Sequence, residues 1–171
     1  MSEIPHVRWK RLETLYFDVL QLVYHLSLAL IIGGAIVLGS AVAPAVFKAA
    51  RTRGEGGLLF GAIVGRYDQL ALFGIFGLVV TTILRFFAFE DTDIGWRLIA
   101  RWTALAVVAL AVLYGSAWSD PVARTQRAQT RDFDELPETA PARVEFAKLH
   151  RSSKRAMQLV IVAGLAAMFL S

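Results

Sequence analysis

The sequence predicts an all-α fold: a polytopic membrane four-helix bundle whose second and fourth helices extend on the cytoplasmic side. Three observations carry this. Of 171 residues, 56% are hydrophobic and 19% charged, and the mean hydropathy of +0.54 is too high for an ordinary soluble domain. The residues other than Asp, Glu, Lys and Arg gather into four runs of 29 (Val19–Phe47), 16 (Gln69–Leu84), 18 (Trp102–Ser119) and 16 (Ala156–Ser171). Basic residues flank the runs, so snorkelling at Arg85 and Arg155 helps the short ones cross a hydrocarbon core roughly 30 Å thick. The expected spans are 19–46, 68–89, 97–118 and 154–171 in a single domain, 1–171, with 120–153 as an extramembrane loop.

Residues 1–18 mix Arg8, Trp9, Lys10 and Arg11 with Tyr16 and Phe17, a composition suited to an interfacial helix leading into the first span. Within that span Ala35, Gly39 and Ala43 repeat at four-residue spacing and let another backbone approach; Gly33-Gly34 reads as helix packing too. Pro44 removes a donor and weakens the helix near its end. Ala41-Val42-Ala43 resembles a signal-peptide cleavage site, but the apolar run is too long and Pro44 follows it, so the first helix is expected to be retained.

From Glu55 to Phe89 no proline intervenes, and a continuous helix there would reach about 52 Å, beyond one bilayer. Its first part carries Gly57, Gly61 and Gly65 on one face, which permits very close packing; a glycine-rich loop up to Gly65 is the competing reading. The third span runs from Trp96 to Trp118, with Trp96, Trp102 and Trp118 suited to interfacial aromatic belts. Asp120 to Arg155 holds 14 charged residues and three of the five prolines. Pro121 and Pro137 suit loops there, and Thr139 with Pro141 suits a helix start. The helix from there to Ser171 again exceeds one bilayer.

Orientation follows from counting Lys and Arg: six on the side of the N-terminal arm and twelve on the side of Lys48, Arg51 and the segment Arg124–Arg155. The projecting helices are therefore expected in the cytoplasm, and both termini outside, in a bacterial inner membrane. A net charge of +4 and a pI near 9.8 raise nucleic acid as a partner, but basic residues beside apolar runs point instead to anionic lipid headgroups. Lys148, Arg151 and Arg155 form one such basic stripe. No nucleic acid is expected. The absence of cysteine removes disulfides, thiolate metal sites and a cysteine nucleophile.

Few residues carry chemistry. His25 lies inside the first span, where an ionisable group is a functional candidate and an imidazole bonded to a neighbouring helix is the plain alternative. His150 sits on the cytoplasmic extension of the fourth helix, on the order of 25 Å or more from His25, so the two are not expected to share a haem or metal. His6, on the outer arm, has no companion residue. Met157 and Met168 lie too far apart for soft-metal ligation. If the stripe Ala142, Phe146, Leu149 and Ser153 packs on the glycine face, His150 and Ser153 approach Arg66 and Asp68 beside Tyr67. Arg66, Tyr67, Asp68, His150 and Ser153 are then the best candidate cluster, with a helix-locking network as the competing reading. No catalytic motif is evident, and no cofactor is expected beyond the alternative of a haem at His25.

His25 with Gly33-Gly34, Ala43-Pro44-Ala45-Val46-Phe47, Gly65-Arg66-Tyr67, and Phe146-Ala147-Lys148-Leu149-His150-Arg151-Ser152-Ser153 together resemble the four-helix family of transmembrane protein 205 and its bacterial relatives of unknown function. The resemblance spans residues 20–170. It implies an integral membrane protein without an established enzymatic activity; the animal member is associated with resistance to platinum drugs. It highlights His25, Gly34, Pro44, Phe47, Arg66, Tyr67, His150 and Ser153 without giving them roles. Relatives tend to have an asparagine in the last helix where this chain reads Arg155-Ala156-Met157-Gln158. The expectation is therefore a non-catalytic accessory or interaction subunit, in a homo-oligomer or a larger membrane complex. A transport or export component for small molecules or metal ions and a haem- or metal-binding redox protein are the alternatives.

Overall fold

The computed structural model describes residues 5–90, 95–130, 133 and 135–171, with side chains from residue 12 onward. The side chains of His6, Arg8, Lys10 and Arg11, and residues 91–94, lie outside what is described. The described residues form four helical rods and no strand. The first joins α1 (Pro5–Val37) to α2 (Ala43–Ala49) through a π-helical turn at Leu38–Val42. The second is α3 (Arg53–Arg85), prolonged by a π turn at Phe86–Glu90. The third joins α4 (Trp96–Tyr114) to α5 (Asp120–Gln129) through a π turn at Gly115–Ser119. The fourth is α6 (Pro141–Phe169).

The rods stand in the ring order second, first, fourth, third; the second and third meet mainly around the π turn at Gly115–Ser119. Toward the other end α3 and α4 part, leaving an apolar groove of about 430 Å³ lined by Ile83, Phe86, Trp102 and Leu105 among others. Buried residues recur at three- and four-residue spacing: Tyr24, Leu28, Ile31, Ala35 and Leu38 in the first rod, Ala71, Ile75 and Leu78 in α3, and Leu105, Val108 and Val112 in α4. Such spacing packs side chains of neighbouring antiparallel helices in alternating layers. Outside this core large apolar side chains face outward, Phe73 at 73% exposure and Val162 at 69% among them, as lipid requires and water penalises.

Three stretches, Leu12–Ala49, Arg53–Glu90 and Trp96–Gln129, are long and apolar enough to cross a membrane. They contain 38, 38 and 34 residues, against the roughly 20 that a bilayer needs.

Three local expectations give way to a different structure. The helix does not stop at Pro44 or Pro121, because a π turn comes just before each proline: Ala43 N–H bonds to Leu38 O, and Asp120 N–H to Gly115 O, five residues back in both cases. That wider turn accommodates the missing donor and the bulk of the ring, which then sits in the first turn of the next helix. Hence Asp120–Gln129 is helix, where a loop is expected. The helix expected from Glu55 is present and begins slightly earlier, α3 being continuous from Arg53, so the competing glycine-rich loop is not formed. Thr52 starts it by accepting a hydrogen bond from Glu55 N at 3.1 Å, while Glu55 Oε2 accepts from Arg51 N at 2.8 Å, a variant of the capping box. At α6 the residue before Pro141 that caps the helix is Ala140, not Thr139, and it offers no side-chain bond.

Candidate functional site

A polar belt crosses the bundle at the level of Asp68. Tyr67 and Asp68 are adjacent on α3 but serve different neighbours. The Tyr67 hydroxyl donates to Ile31 O at 2.7 Å, and its ring occupies the place where a Cβ on Gly34 would sit, 2.4 Å away. Asp68, 5% exposed, accepts from Arg124 Nη1 at 2.9 Å and from the Ser116 hydroxyl at 3.1 Å. Asp120 and Ser153 come together at the same level, on the edge of the same small space as Asp68. Tyr114 donates to Ser152 Oγ at 3.0 Å, and Ser152 in turn to Leu149 O at 2.8 Å. A small cavity of about 30 Å³ lies among Tyr67, Asp68, Ser116, Asp120 and Ser153, space for about one water.

A second ionic knot closes the opposite end. Glu90 pairs with Arg85 at 3.2 Å and hydrogen-bonds Arg101. Both arginine side chains are nearly fully buried, at 5% and 6% exposure. Arg85 also lies over the rings of Phe17 and Tyr24, 5.6 and 5.1 Å from their centroids, so cation–π attraction supplements the shared carboxylate. Nearby, His25 Nδ1 lies 3.0 Å from Gln21 O and Nε2 3.0 Å from Ser171 Oγ, with Ser171 Oγ itself 2.7 Å from Met168 O. Both imidazole nitrogens are thus engaged by α1 and by the end of the fourth rod.

A third feature is a large cavity at the end of the bundle opposite that knot, about 1130 Å³ in volume, lined by Phe47, Arg53, Arg127, Phe146 and His150 among others. His150 stacks on Phe146 with centroids 6.1 Å apart and planes 3° from parallel. Burial lowers its proton affinity below that of a free imidazole, and the Lys154 charge lowers it further.

The cluster expected from the sequence is brought together only in part. Tyr67, Asp68 and Ser153 share the small cavity. Arg66 does not join them: it is exposed and faces away, because consecutive helical residues point about 100° apart. His150 opens on the large cavity instead. The reason is that the glycine face of α3 is covered by arginines of α5, not by the stripe on α6. The guanidinium of Arg127 lies 2.4 Å from a Cβ built on Gly57, while Arg124 carbons lie 3.8 Å from one on Gly61 and 3.6 Å from one on Gly65. Arg124, Ser116 and Asp120 were missed because Pro121 concealed the helix that presents them.

Among the described residues nothing lies within 4 Å of where a Cβ on Gly39 would sit; Pro44 is exposed. The tight glycines are Gly34, Gly56, Gly57, Gly74, Gly77 and Gly164, whose added Cβ atoms would lie under 3.0 Å from Tyr67, Phe47, Arg127, Ile31, Ser27 and Ile32. Lys148, Arg151 and Arg155 are exposed as expected. His25 and His150 are far apart, His25 at the Ser171 end of the fourth rod and His150 about 30 Å earlier along it. Among the described residues no group of three or more His, Asp or Glu is placed to hold a metal ion.

A bundle whose apolar rods expose their largest side chains outward is an integral membrane protein. The family model described as Domain of unknown function (DUF4149) matches residues 26–132, and the chain belongs to that family. The matched span holds Gly34, Tyr67, Asp68, Glu90, Arg101 and Arg124. No curated protein and no solved structure matches the chain.

Proposed function

We propose that the protein is a non-catalytic accessory or interaction subunit of a bacterial inner-membrane assembly, anchored by four spans with both termini outside the cytoplasm. The observation that supports this best is how its polar groups are used: Asp68, Glu90, Tyr67 and His25 each tie one part of the bundle to another. Groups locked in this way hold a shape for presentation rather than a reaction centre. The fourth span draws on the buried face of α6, Ala156, Val160, Gly164 and Ala167, which runs beside α1 and α4. The likeness to the transmembrane protein 205 family belongs to the same reading. Some of its motif residues come together in the fold, Gly34 under Tyr67 and Phe47 on the same cavity as Phe146 and His150. In this reading Lys148 and Arg155 lie on anionic headgroups, and Gly39 faces a partner helix.

The test is purification from the native membrane in mild detergent after chemical crosslinking. A stoichiometric partner, or a second copy, lost in Gly39→Leu with the unfolding midpoint unchanged supports the reading. A particle of one chain under every condition would sink it, and a Soret band abolished by His25→Ala would replace it with a redox function.

A further inference from the structure

The large cavity carries an inference that does not depend on the accessory reading. All four rods line it: Phe47 ends the first, Arg53 opens the second, Arg127 comes from α5, and Phe146, His150 and Arg151 come from α6. Its described lining is strongly basic, five arginines with Glu138 as the one acid. Two of the arginines have structural duties. Arg127 lies over the rings of Phe133 and Phe146, at 5.4 and 5.9 Å, and donates to Gly54 O at 3.4 Å. Arg143 donates to Leu136 O at 2.9 Å. Arg51, Arg53 and Arg151 are exposed; Arg151 Nε donates to Ala147 O of its own helix at 3.2 Å, and among the described residues none of the three forms an ion pair.

Three guanidiniums around a concave surface with aromatic walls focus positive potential into it. Guanidinium forks pair with phosphate oxygens through two parallel hydrogen bonds, and one carboxylate would leave most of that charge unanswered. We propose that this cavity binds a phosphate-bearing ligand. Arg51, Arg53 and Arg151 pair with its phosphate oxygens, and the Phe47 and Phe146 side take its apolar or ring portion. Both a phospholipid headgroup and a soluble phosphorylated molecule have this chemistry.

The experiment uses the full chain in dodecyl maltoside, which contains no phosphate, and follows thermal unfolding while adding pyrophosphate in one arm and short-chain phosphatidylglycerol in the other. A saturable rise in midpoint supports the proposal, and the arm that produces it names the source. The variant R53Q/R151Q should weaken binding by about tenfold or more, whereas R66Q, on the same helix but outside the cavity, should bind as wild type does. If R53Q/R151Q does not fold, R51Q/R53Q takes its place with the same expectation. No rise in either arm, or an equal response from wild type and the cavity variants, overturns the proposal.

Discussion

Asp68 shows how much one residue can decide here. It lies at the charged edge of the second apolar run, and its side chain is 7% exposed, against 34% for its partner Arg124. Removing the carboxylate leaves Arg124 and Ser116 without their acceptor, so D68A should cost about 2 kcal/mol, read as a lower unfolding midpoint in detergent. D68N keeps an acceptor for Ser116 and should cost less. At Glu90 the arithmetic of charge differs, because one carboxylate serves two buried guanidiniums. E90Q strands both, whereas R101Q leaves the Arg85–Glu90 pair intact. E90Q should therefore destabilise more, by roughly 3 kcal/mol or above, and an equal effect of the two variants would contradict the shared role. His150 supplies a pH signature. Its folded-state proton affinity is lowered, so the unfolded chain binds that proton more readily. Its contribution is complete above the ordinary histidine value of about 6.5 and is lost as pH falls below it. Unfolding midpoints measured from neutral to mildly acidic pH should decline more steeply in wild type than in H150Q.

At the scale of elements, the glycines and the prolines behave differently from their usual reputations. Gly34 and Gly39 were both read as helix-packing residues of the first rod, yet among the described residues only Gly34 meets a neighbour, the Tyr67 ring. G34L should displace that ring and destabilise by about 1–3 kcal/mol or more, while G39L should leave the midpoint unchanged and act only on association. The spacing of small residues was legible in the sequence, but their partners were not, since a helical pattern does not say which neighbour faces it. Pro44 was expected to weaken the first helix near its end and Pro121 to sit in a loop, on good local grounds. The π turns at Leu38–Val42 and Gly115–Ser119 absorb them, so the third rod carries Arg124 and Arg127 back across α3. The start of α3 lies two residues before the expected Glu55, and the cap that sets it was not foreseen, though its signal was present. Thr52 followed three residues later by Glu55 is a capping pattern, and T52A should cost about 1 kcal/mol, detectable as faster hydrogen exchange over the first turn of α3.

For the molecule as a whole, the placing of the termini is open to direct measurement because the chain has no cysteine. A single cysteine at Ser171 should react with a membrane-impermeant maleimide in intact spheroplasts, and one at Gln129 only after lysis; the reverse pattern would invert the orientation. The sequence by itself determined the fold class and the rods, because apolar runs of bilayer length leave the backbone few ways to satisfy its hydrogen bonds other than as helices. It also singled out Tyr67, Asp68 and Ser153, which do share one cavity. Only the tertiary structure decided that Arg124 and Arg127 cover the glycine face of α3, that Glu90 is held between two arginines, and that Arg51, Arg53 and Arg151 line one cavity. Those contacts join residues up to about a hundred positions apart. They depend on which rods are neighbours and on how each is rotated about its axis, and neither is encoded in the periodicity of a single helix.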